Sequence, residues 1–444
     1  MSLVGMDIAT PRNVQLSGFF RRSNAVMNAQ ERIPNCLIAI ANELTARISD
    51  IRLQYGQEAA EELKIIINKI HSLREEVLQD VPFRKLLSNS PDAKFYNDYL
   101  EKMTSEDCRP TMLQTVRVYA ECYVYRRVWE CFELSDNLKK FDPYESTKDL
   151  LYQLAVPLIT KTGQYLKNMY KYPSQEDKID FEKLAKLLLW SNQGDYIMSK
   201  EFVLSCFPQI LSTKKKEGFI VCNQVEQAWE IISDRNHSSN VIAIICDNVG
   251  FELFAELCMA DYLYTNYYAR TIHFHVKHIP WFISDVMEKD IYWMLHQLSK
   301  SNNKVIQDLS ANWKEHFKTG RWKIITRKYW ILPIGFSRMK ELDPILYKML
   351  EETKIIIVKG DLNYRKLLED INCDPSAPFS EVLHEFYPNS MLLVRILKCD
   401  VVCNVPRQNV EKFDKLDKNW MDCGLYGLIQ FAPKPKEMCD CMTS

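Results

Sequence analysis

Val241-Ile242-Ala243-Ile244-Ile245-Cys246 is a continuous apolar run, and it leads directly into the polar turn Asp247-Asn248-Val249-Gly250. A stretch with helical periodicity, from Phe251 to Tyr264, follows this turn. A short β-branched run that is apolar on both faces is typical of a strand in a covered parallel sheet. The stretch therefore predicts a buried strand, a turn and a covering helix.

The same arrangement recurs later in the chain. Lys354-Ile355-Ile356-Ile357-Val358 leads into Lys359-Gly360-Asp361, and a helical stretch from Tyr364 to Asp370 follows. Two further strands are predicted at Ile272 to Val276 and at Met391 to Cys403. Because helices separate these strands, we expect an α/β/α sandwich with a mainly parallel sheet.

The first half of the chain has a different pattern. Residues 30 to about 210 show helical periodicity, with helices predicted at Ile33 to Arg52, Gln57 to Leu78, Met112 to Leu134 and Lys148 to Tyr170. The prediction is thus an α/β protein with a helical N-terminal region (residues 1–214), the sandwich (residues 215–435) and a polar tail (residues 436–444). No linker rich in Pro, Gly or Ser separates the first two parts, so we expect them to pack as one unit.

Composition narrows the classes of function. The 444 residues include 57 basic and 58 acidic side chains, which gives a formal net charge of −1. Nucleic-acid and membrane-surface binding normally require a basic excess, so neither partner is expected. The 14 cysteines form no spaced disulfide framework, and the N-terminus has no apolar segment of signal-peptide length. These features predict a soluble protein of a reduced compartment, the cytoplasm or also the nucleus, and they leave the oligomeric state unknown.

Acidic residues follow three of the predicted strands. Ligands of open α/β sheets bind beyond the carboxyl ends of the strands, where Asp247 and Asp361 stand. A single Asp at such a place is often only a helix cap, but two of them predict a shared site. Asp285 follows the strand Ile272 to Val276. Together with the Asn248 amide, these carboxylates are suited to a hard divalent ion, Mg²⁺ or Mn²⁺.

Basic residues near these acids favour an anionic ligand. Lys359, Arg365 and Lys366 flank the Asp361 turn, and Arg395 and Lys398 lie on the last long apolar stretch. Two carboxylates and a neutral amide would roughly balance the charge of a divalent ion. The basic residues would then remain available to bind phosphate.

Other chemistries find weaker support in the sequence. His273, His275 and His278 form a rival metal cluster that resembles half of a zinc site, but no ligand completes it locally. There is no GxSxG elbow and no P-loop, and the first strand is followed by one glycine, Gly250, where a dinucleotide or S-adenosylmethionine site usually has several.

At Asp247 to Glu252 and Lys359 to Lys366 the chain resembles the damage-control phosphatase family. It is most similar to the branch also called sugar phosphate phosphatase or acidic residue methyltransferase 1. The resemblance runs through nearly the whole chain and includes Glu31 to Pro34, Ala120 to Arg127, Leu189 to Asn192, Ile279 to Asp285 and Arg395 to Lys398.

The resemblance implies a metal-dependent phosphoric monoester hydrolase of metabolite damage control. Its substrates would be small phosphorylated metabolites, in particular sugar phosphates such as fructose 1-phosphate. Its divalent ion, Mn²⁺, Mg²⁺, Co²⁺ or Ni²⁺, would be held by Asp247, Asn248 and Asp285. The substrate would contact Asp247, Asn248, Lys398 and the turn Asp361-Leu362-Asn363-Tyr364-Arg365.

The catalytic roles that follow belong to three acids. Asp247 and Asp285 would act through the ion, and Asp361 would orient a sugar hydroxyl or assist a proton transfer. Two routes remain open, an ion-activated water and an aspartyl-phosphate formed on Asp247.

Two alternative functions also remain. The branch has been associated with protein-glutamate carboxyl methylation that uses S-adenosylmethionine. Departures from the branch pattern suggest a non-catalytic diverged member: Ile396 replaces the threonine of the Arg-Thr-x-Lys signature, Ser191 replaces a glycine, and Val401 to Asn404 lacks the expected glycine.

Overall fold

A computed structural model describes residues 5–105, 109–172, 176–192 and 217–435. The predicted boundary between residues 214 and 215 and the predicted tail at residues 436–444 lie outside the described residues.

The centre of the molecule is a seven-stranded sheet with the order β1-β7-β6-β5-β2-β3-β4. Strands β2 to β6 are parallel to one another, β7 is antiparallel to β6, and β1 is parallel to β7. The mainly parallel sheet expected from the sequence is therefore confirmed. The strands are β1 (Ile220–Asn223), β2 (Val241–Ile245), β3 (Thr271–Val276), β4 (Trp322–Thr326), β5 (Ile355–Lys359), β6 (Met391–Ile396) and β7 (Gly427–Ala432).

Helices surround the sheet and form the N-terminal part of the chain. The described α-helices are α1 (Asn24–Met27), α2 (Ile33–Ala46), α3 (Ile48–Tyr55), α4 (Gln57–Leu78), α5 (Pro91–Met103), α6 (Arg117–Glu133), α7 (Glu145–Lys171), α8 (Asp177–Ser191), α9 (Val225–Ser233), α10 (Phe251–Thr265), α11 (Glu288–Ser299), α12 (Lys304–Lys318), α13 (Met339–Leu342), α14 (Pro344–Glu351), α15 (Asp361–Leu367), α16 (Phe379–Val382) and α17 (Arg407–Leu416). A π-helical turn, Asn28–Arg32, joins α1 to α2. Short 3₁₀ turns lie at Glu217–Phe219, Lys328–Ile331 and Phe336–Arg338.

Several element boundaries differ from those predicted, and the helix expected from Met112 begins only at Arg117. The helix expected from Ile33 to Arg52 is two helices, α2 and α3, which meet at Arg47. The helix expected from Tyr364 begins earlier, at Asp361. The strand expected from Met391 to Cys403 ends at Ile396. The last seven residues of that stretch form a loop. The loop is largely buried, and its apolar residues therefore resembled a continuation of the strand in the sequence.

Three apolar clusters hold the fold together. One face of the sheet is covered by α7, α8, α10, α11 and α12, and the other by the segments between β4 and β7. The helices from α2 to α6 form the third cluster, which also includes Trp281 and Leu362 from the sandwich. The helical region and the sandwich therefore share buried contacts. No described helix has both the length and the apolar character that a membrane span requires.

Candidate active site

The candidate site lies where the order of the strands reverses. From β2 the chain continues to β3 and β4 on one side of the sheet, and it returns with β5 and β6 on the other side. Ligands of open α/β sheets bind beyond the carboxyl ends of the strands at such a switch point. Because β2 and β5 are direct neighbours, Asp247 and Asp361 come to the same edge of the sheet.

Asp285 reaches this edge because the loop after β3 folds back onto the turn after β2. The backbone N–H of Val249 donates to the carbonyl of Ser284 at 2.8 Å, and that of Val286 donates to the carbonyl of Asp247 at 2.9 Å. Between these bonds, Asn248 and Asp285 form an antiparallel bridge. Two segments far apart in sequence are thus joined in register.

The loop that carries Asp285 has an unusual backbone conformation. Phe282 and Ile283 have φ angles of 42° and 69°, and a β-branched residue in this region is an outlier. Such residues cost about 1–3 kcal/mol each and cluster at functional sites. The ring of Phe282 stacks on that of Tyr125, with centroids 4.3 Å apart, so the helical region supports the strained loop.

Asp247 and Asp285 form a buried acidic pair. Burial, followed by the charges of Glu252 and Asp285, raises the pKa of Asp247 well above its usual value. Burial also raises the pKa of Asp285, although the ammonium of Lys277, 3.1 Å from Asp285 Oδ2, opposes the rise. Negative charge is therefore crowded at this edge of the sheet, and a bound cation would stabilise both carboxylates.

Glu252, in the first turn of α10, connects the parts of the site. Its Oε2 accepts hydrogen bonds from Nδ2 of Asn192 at 2.6 Å and from Nδ2 of Asn248 at 3.0 Å. Its Oε1 pairs with Lys359 Nζ at 2.8 Å. The same two amides also donate to Asp247 Oδ2, at 3.0 and 2.8 Å. Asn192 and Asn248 thereby fix the orientation of the Asp247 carboxylate.

The oxygen atoms of this site fit a hard divalent ion. Two carboxylates and the amide of Asn248 are the type of ligand that Mg²⁺ and Mn²⁺ prefer. Among the described residues, no group of three or more His, Cys, Asp and Glu side chains is placed to hold a metal ion. A zinc site built on His273 and His275 therefore has no completing ligand in that part of the chain. His275 instead packs against Trp330, with ring centroids 5.5 Å apart.

Asp361 stays ionised at this edge of the sheet. Its Oδ1 accepts a hydrogen bond from Arg395 Nε at 2.9 Å. Burial alone would raise the pKa of Asp361, but the charges of Arg395, Arg365 and Arg117 outweigh it and hold the pKa below its usual value. A carboxylate of this kind accepts hydrogen bonds and has little tendency to donate a proton.

Arg365 belongs to a buried network of four charges. Its Nε and NH2 donate to the two oxygens of Asp370 at 2.7 and 2.8 Å, and its NH1 donates to Glu121 at 2.7 Å. Glu121 also accepts from Arg117 at 2.9 Å. The network joins α6 to α15, and each of its positive charges is paired.

A cavity of about 280 Å³ opens over these groups. Of the predicted site residues, Asp247, Asn248, Asp285, Asp361, Leu362, Arg365 and Lys398 line this cavity. Asn363 and Tyr364 do not line it. The amide of Asn363 donates to the carbonyls of Cys246 and Lys359, at 3.2 and 2.8 Å, and the Tyr364 hydroxyl donates to Gln430 at 2.9 Å. These two side chains therefore form hydrogen bonds in the protein interior.

Several functional candidates had no predicted role. The helical region adds Asn28, Arg32, Cys36, Arg117, Glu121 and Tyr125 to the cavity lining. Behind the cavity, Asn192 donates to Asp247, and Glu252 accepts from Asn192 and Asn248. The only available signal was the family resemblance, since most of them lie in or beside the resembling segments. Residue patterns alone could not predict that helices of the first half of the chain pack at the edge of a sheet in the second half.

Comparisons with known proteins identify the family to which the chain is similar. Residues 29–413 match the family model described as "Damage-control phosphatase ARMT1-like domain". A Bos taurus protein named "Damage-control phosphatase ARMT1" is 31% identical over 423 residues, 92% of this chain and 96% of its own length. The Homo sapiens protein of the same name is 30% identical over 430 residues, 94% of this chain and 98% of its own length.

One solved structure is also similar at low identity. It is the crystal structure of a DUF89 family protein from Pyrococcus horikoshii, with a TM-score of 0.45 and 14% identity, and the match covers 90% of this chain and 98% of that chain.

Proposed function

This chain belongs to the ARMT1-like damage-control phosphatase family, and on that premise we propose that it hydrolyses phosphoric monoesters of small metabolites, sugar phosphates such as fructose 1-phosphate among them. The observation that carries the proposal is the meeting of Asp247, Asn248, Asp285 and Lys398 in one cavity at the switch point of the sheet.

Asp247, Asn248 and Asp285 would hold the divalent ion, Mn²⁺, Mg²⁺, Co²⁺ or Ni²⁺. When bound, the ion supplies positive charge that stabilises the charge developing on the phosphoryl oxygens. Asn192 and Asn248, both of which also donate to Glu252, keep the Asp247 carboxylate in one orientation. That preorganisation avoids the cost of reorienting the carboxylate during the reaction.

Lys398 is the proposed phosphate-binding cation. It lines the cavity, and its Nζ lies 3.4 Å from the backbone carbonyl of Asn192. An ammonium group there meets the charge of a phosphate in both the ground state and the transition state. Arg365, whose charge is already balanced by Asp370 and Glu121, serves to position α15 and adds less to phosphate binding.

Asp361 would orient the alcohol part of the substrate. Since it stays ionised beside Arg395, it accepts a hydrogen bond from a sugar hydroxyl and does not act as a proton donor. Leu362, the next residue, adds apolar surface to the cavity.

A phosphate-release assay tests the proposal. A panel of sugar phosphates is incubated with the protein and Mg²⁺, Mn²⁺, Co²⁺ or Ni²⁺, and a parallel set contains EDTA. We expect release with at least one ion, loss of release with EDTA, and recovery when the ion is returned. Full activity in EDTA would rule out the divalent ion, and no release under any condition would favour a diverged, non-catalytic member.

Two alternatives are tested with the same protein. Calorimetric titration with S-adenosylmethionine addresses the methyltransferase, and the proposal predicts no binding. Mass spectrometry after incubation with a slow phosphate analogue addresses the aspartyl-phosphate route. A mass increase on the peptide that contains Asp247 would support covalent catalysis.

A further inference from the structure

Two hydrogen-bond donors in the cavity take no part in the proposed reaction. Asn28 is 4% exposed, and its Nδ2 has no hydrogen-bond partner among the described residues. Arg32 is half-buried, and within the described part of the chain it forms no ion pair. Arg117 and Arg365, which line the same cavity, are both paired with carboxylates. An unpaired buried donor is costly unless a ligand or water satisfies it.

The backbone presents these two side chains on one turn. Asn28–Arg32 is a π-helical turn, closed by a hydrogen bond from the N–H of Ile33 to the carbonyl of Asn28. Turns of this type are rare and frequently occur at functional sites. Both ends of the turn, Asn28 and Arg32, line the cavity.

The helix that carries this turn is anchored on both sides of it. Before the turn, Asn24 donates to Asp422 at 2.7 Å and accepts from Arg117 at 3.3 Å. After the turn, Ile33 and Leu37 of α2 are buried in the apolar cluster of the helical region. The backbone that carries the two donors is therefore fixed before any ligand arrives, which reduces the entropy that a ligand must overcome.

We propose that Asn28 and Arg32 form a second anion subsite, so that the preferred substrate carries a carboxylate or a second phosphate besides the phosphomonoester. The proposal rests on the proposed function, which assigns the first phosphate to Lys398 and the ion. Both side chains of the subsite offer donors, and a guanidinium matches the planar or tetrahedral oxygens of such an anion. A neutral hydroxyl would leave the charge of Arg32 uncompensated. The volume of about 280 Å³ suits a single phosphorylated sugar or sugar acid.

The test compares pairs of substrates that differ only in the second anion. Fructose 1,6-bisphosphate is paired with fructose 1-phosphate, and 6-phosphogluconate is paired with glucitol 6-phosphate. The wild-type protein, Arg32→Gln and the control Arg52→Gln, an exposed arginine outside the cavity, are assayed for kcat/KM. We expect Arg32→Gln to lower kcat/KM for one or both members that carry the second anion about ten- to a hundredfold, as for a lost charge-assisted hydrogen bond. The members without the second anion, and all four substrates with the control variant, should change less than about threefold. If the bisphosphate responds, the subsite binds a phosphate, and if 6-phosphogluconate responds, it binds a carboxylate.

Equal loss for all four substrates would overturn the subsite, because Arg32 would then serve the reacting phosphate. No loss for any of them would also overturn it. If the wild type releases no phosphate, calorimetric titration with fructose 1,6-bisphosphate and 6-phosphogluconate separates the two proposals. Binding that is lost in Arg32→Gln would support the subsite while the proposed function fails, and equal or absent binding in both proteins would reject the subsite. Asn28→Ala, which removes the unpaired amide, should lower kcat/KM for the same substrates in the same order.

Discussion

Gly360 leaves no space for a side chain beside the carboxylate of Asp247. A Cβ added to Gly360 would overlap both the carboxyl carbon and the oxygens of Asp247. The backbone of Gly360 also has φ 91° and ψ 166°, a conformation that is essentially restricted to glycine. The turn after β5 is therefore shaped by the residue that follows β2.

A comparison of Gly360→Ala with Gly56→Ala should separate the effect of the close contact with Asp247 from the effect of backbone strain. Gly56 has nearly the same backbone angles, φ 96° and ψ 174°, but nothing lies within 4 Å of its added Cβ. We expect both variants to lose about 1–3 kcal/mol of unfolding free energy from backbone strain. Only Gly360→Ala should also lose phosphate release and metal affinity, measured by calorimetry. Equal activity in the two variants would contradict the close approach.

Asp247→Asn should make the metal-free protein more stable. The folded-state pKa of Asp247 lies above its value in the unfolded chain, so at neutral pH the ionised carboxylate costs stability, and the cost disappears as the pH falls below the unfolded pKa. Asparagine keeps an oxygen that accepts from Asn192 and Asn248 but has no charge. In EDTA, we expect a higher Tm for the variant than for the wild type. With a binding divalent ion, the wild type should gain more in Tm, and a lower Tm of the variant in EDTA would refute the crowding of charge.

Lys398→Met should reduce catalysis of sugar phosphates about ten- to a hundredfold, the effect of about 1.5–3 kcal/mol from a lost charge-assisted contact. We expect a higher KM together with a lower kcat, because the phosphate charge is met in both states. The matched control is Lys415→Met, at an exposed position of α17. Unchanged kinetics in Lys398→Met would exclude this lysine from the phosphate site.

His275 should make the protein sensitive to mild acid. Its pKa is lowered to about 3 by burial and by the charge of His273, whereas the unfolded chain has the ordinary value of about 6.5. The unfolded state therefore binds protons first as the pH falls. Stability is complete above about pH 6.5 and is lost progressively towards pH 3, by about 2 kcal/mol between pH 7 and pH 5.

Urea titrations at pH 7 and pH 5 measure this effect. His275→Leu should remove most of the contribution of that residue to the difference between the two pH values. His296→Gln, at an exposed position, should leave the difference as it is in the wild type. An identical difference in His275→Leu would show that another group controls the acid response.

The central strands could be predicted from the sequence, but the edge strands could not. Strand β2 follows the predicted Val241 to Cys246 within one residue, because a run buried on both faces is apolar throughout. Strands β1 and β4 form the two edges of the sheet, and both are only partly buried. Short edge strands of mixed burial carry no comparable signal, and neither strand was predicted.

The candidate site was predictable only in the part that follows strands. Asp247 and Asp361 were brought together by the rule for strand ends, which depends on the sheet alone. The same rule says nothing about Asn28 or Arg32, since their position depends on how helices of the first half dock on the second. The direction of the side chains could not be predicted either. Asn363 and Tyr364 lie in the same turn as Asp361, but their side chains form hydrogen bonds in the protein interior.

The reversed direction of β7 has a practical consequence for handling the protein. The carboxyl ends of β2, β3, β5 and β6 face the cavity, but β7 runs the opposite way and delivers Ala432 to the far rim of the sheet. An affinity tag, fluorophore or solid support attached behind residue 435 would therefore begin on the side remote from the cavity. Immobilised in that way, the protein should leave its cavity open to ligands in solution.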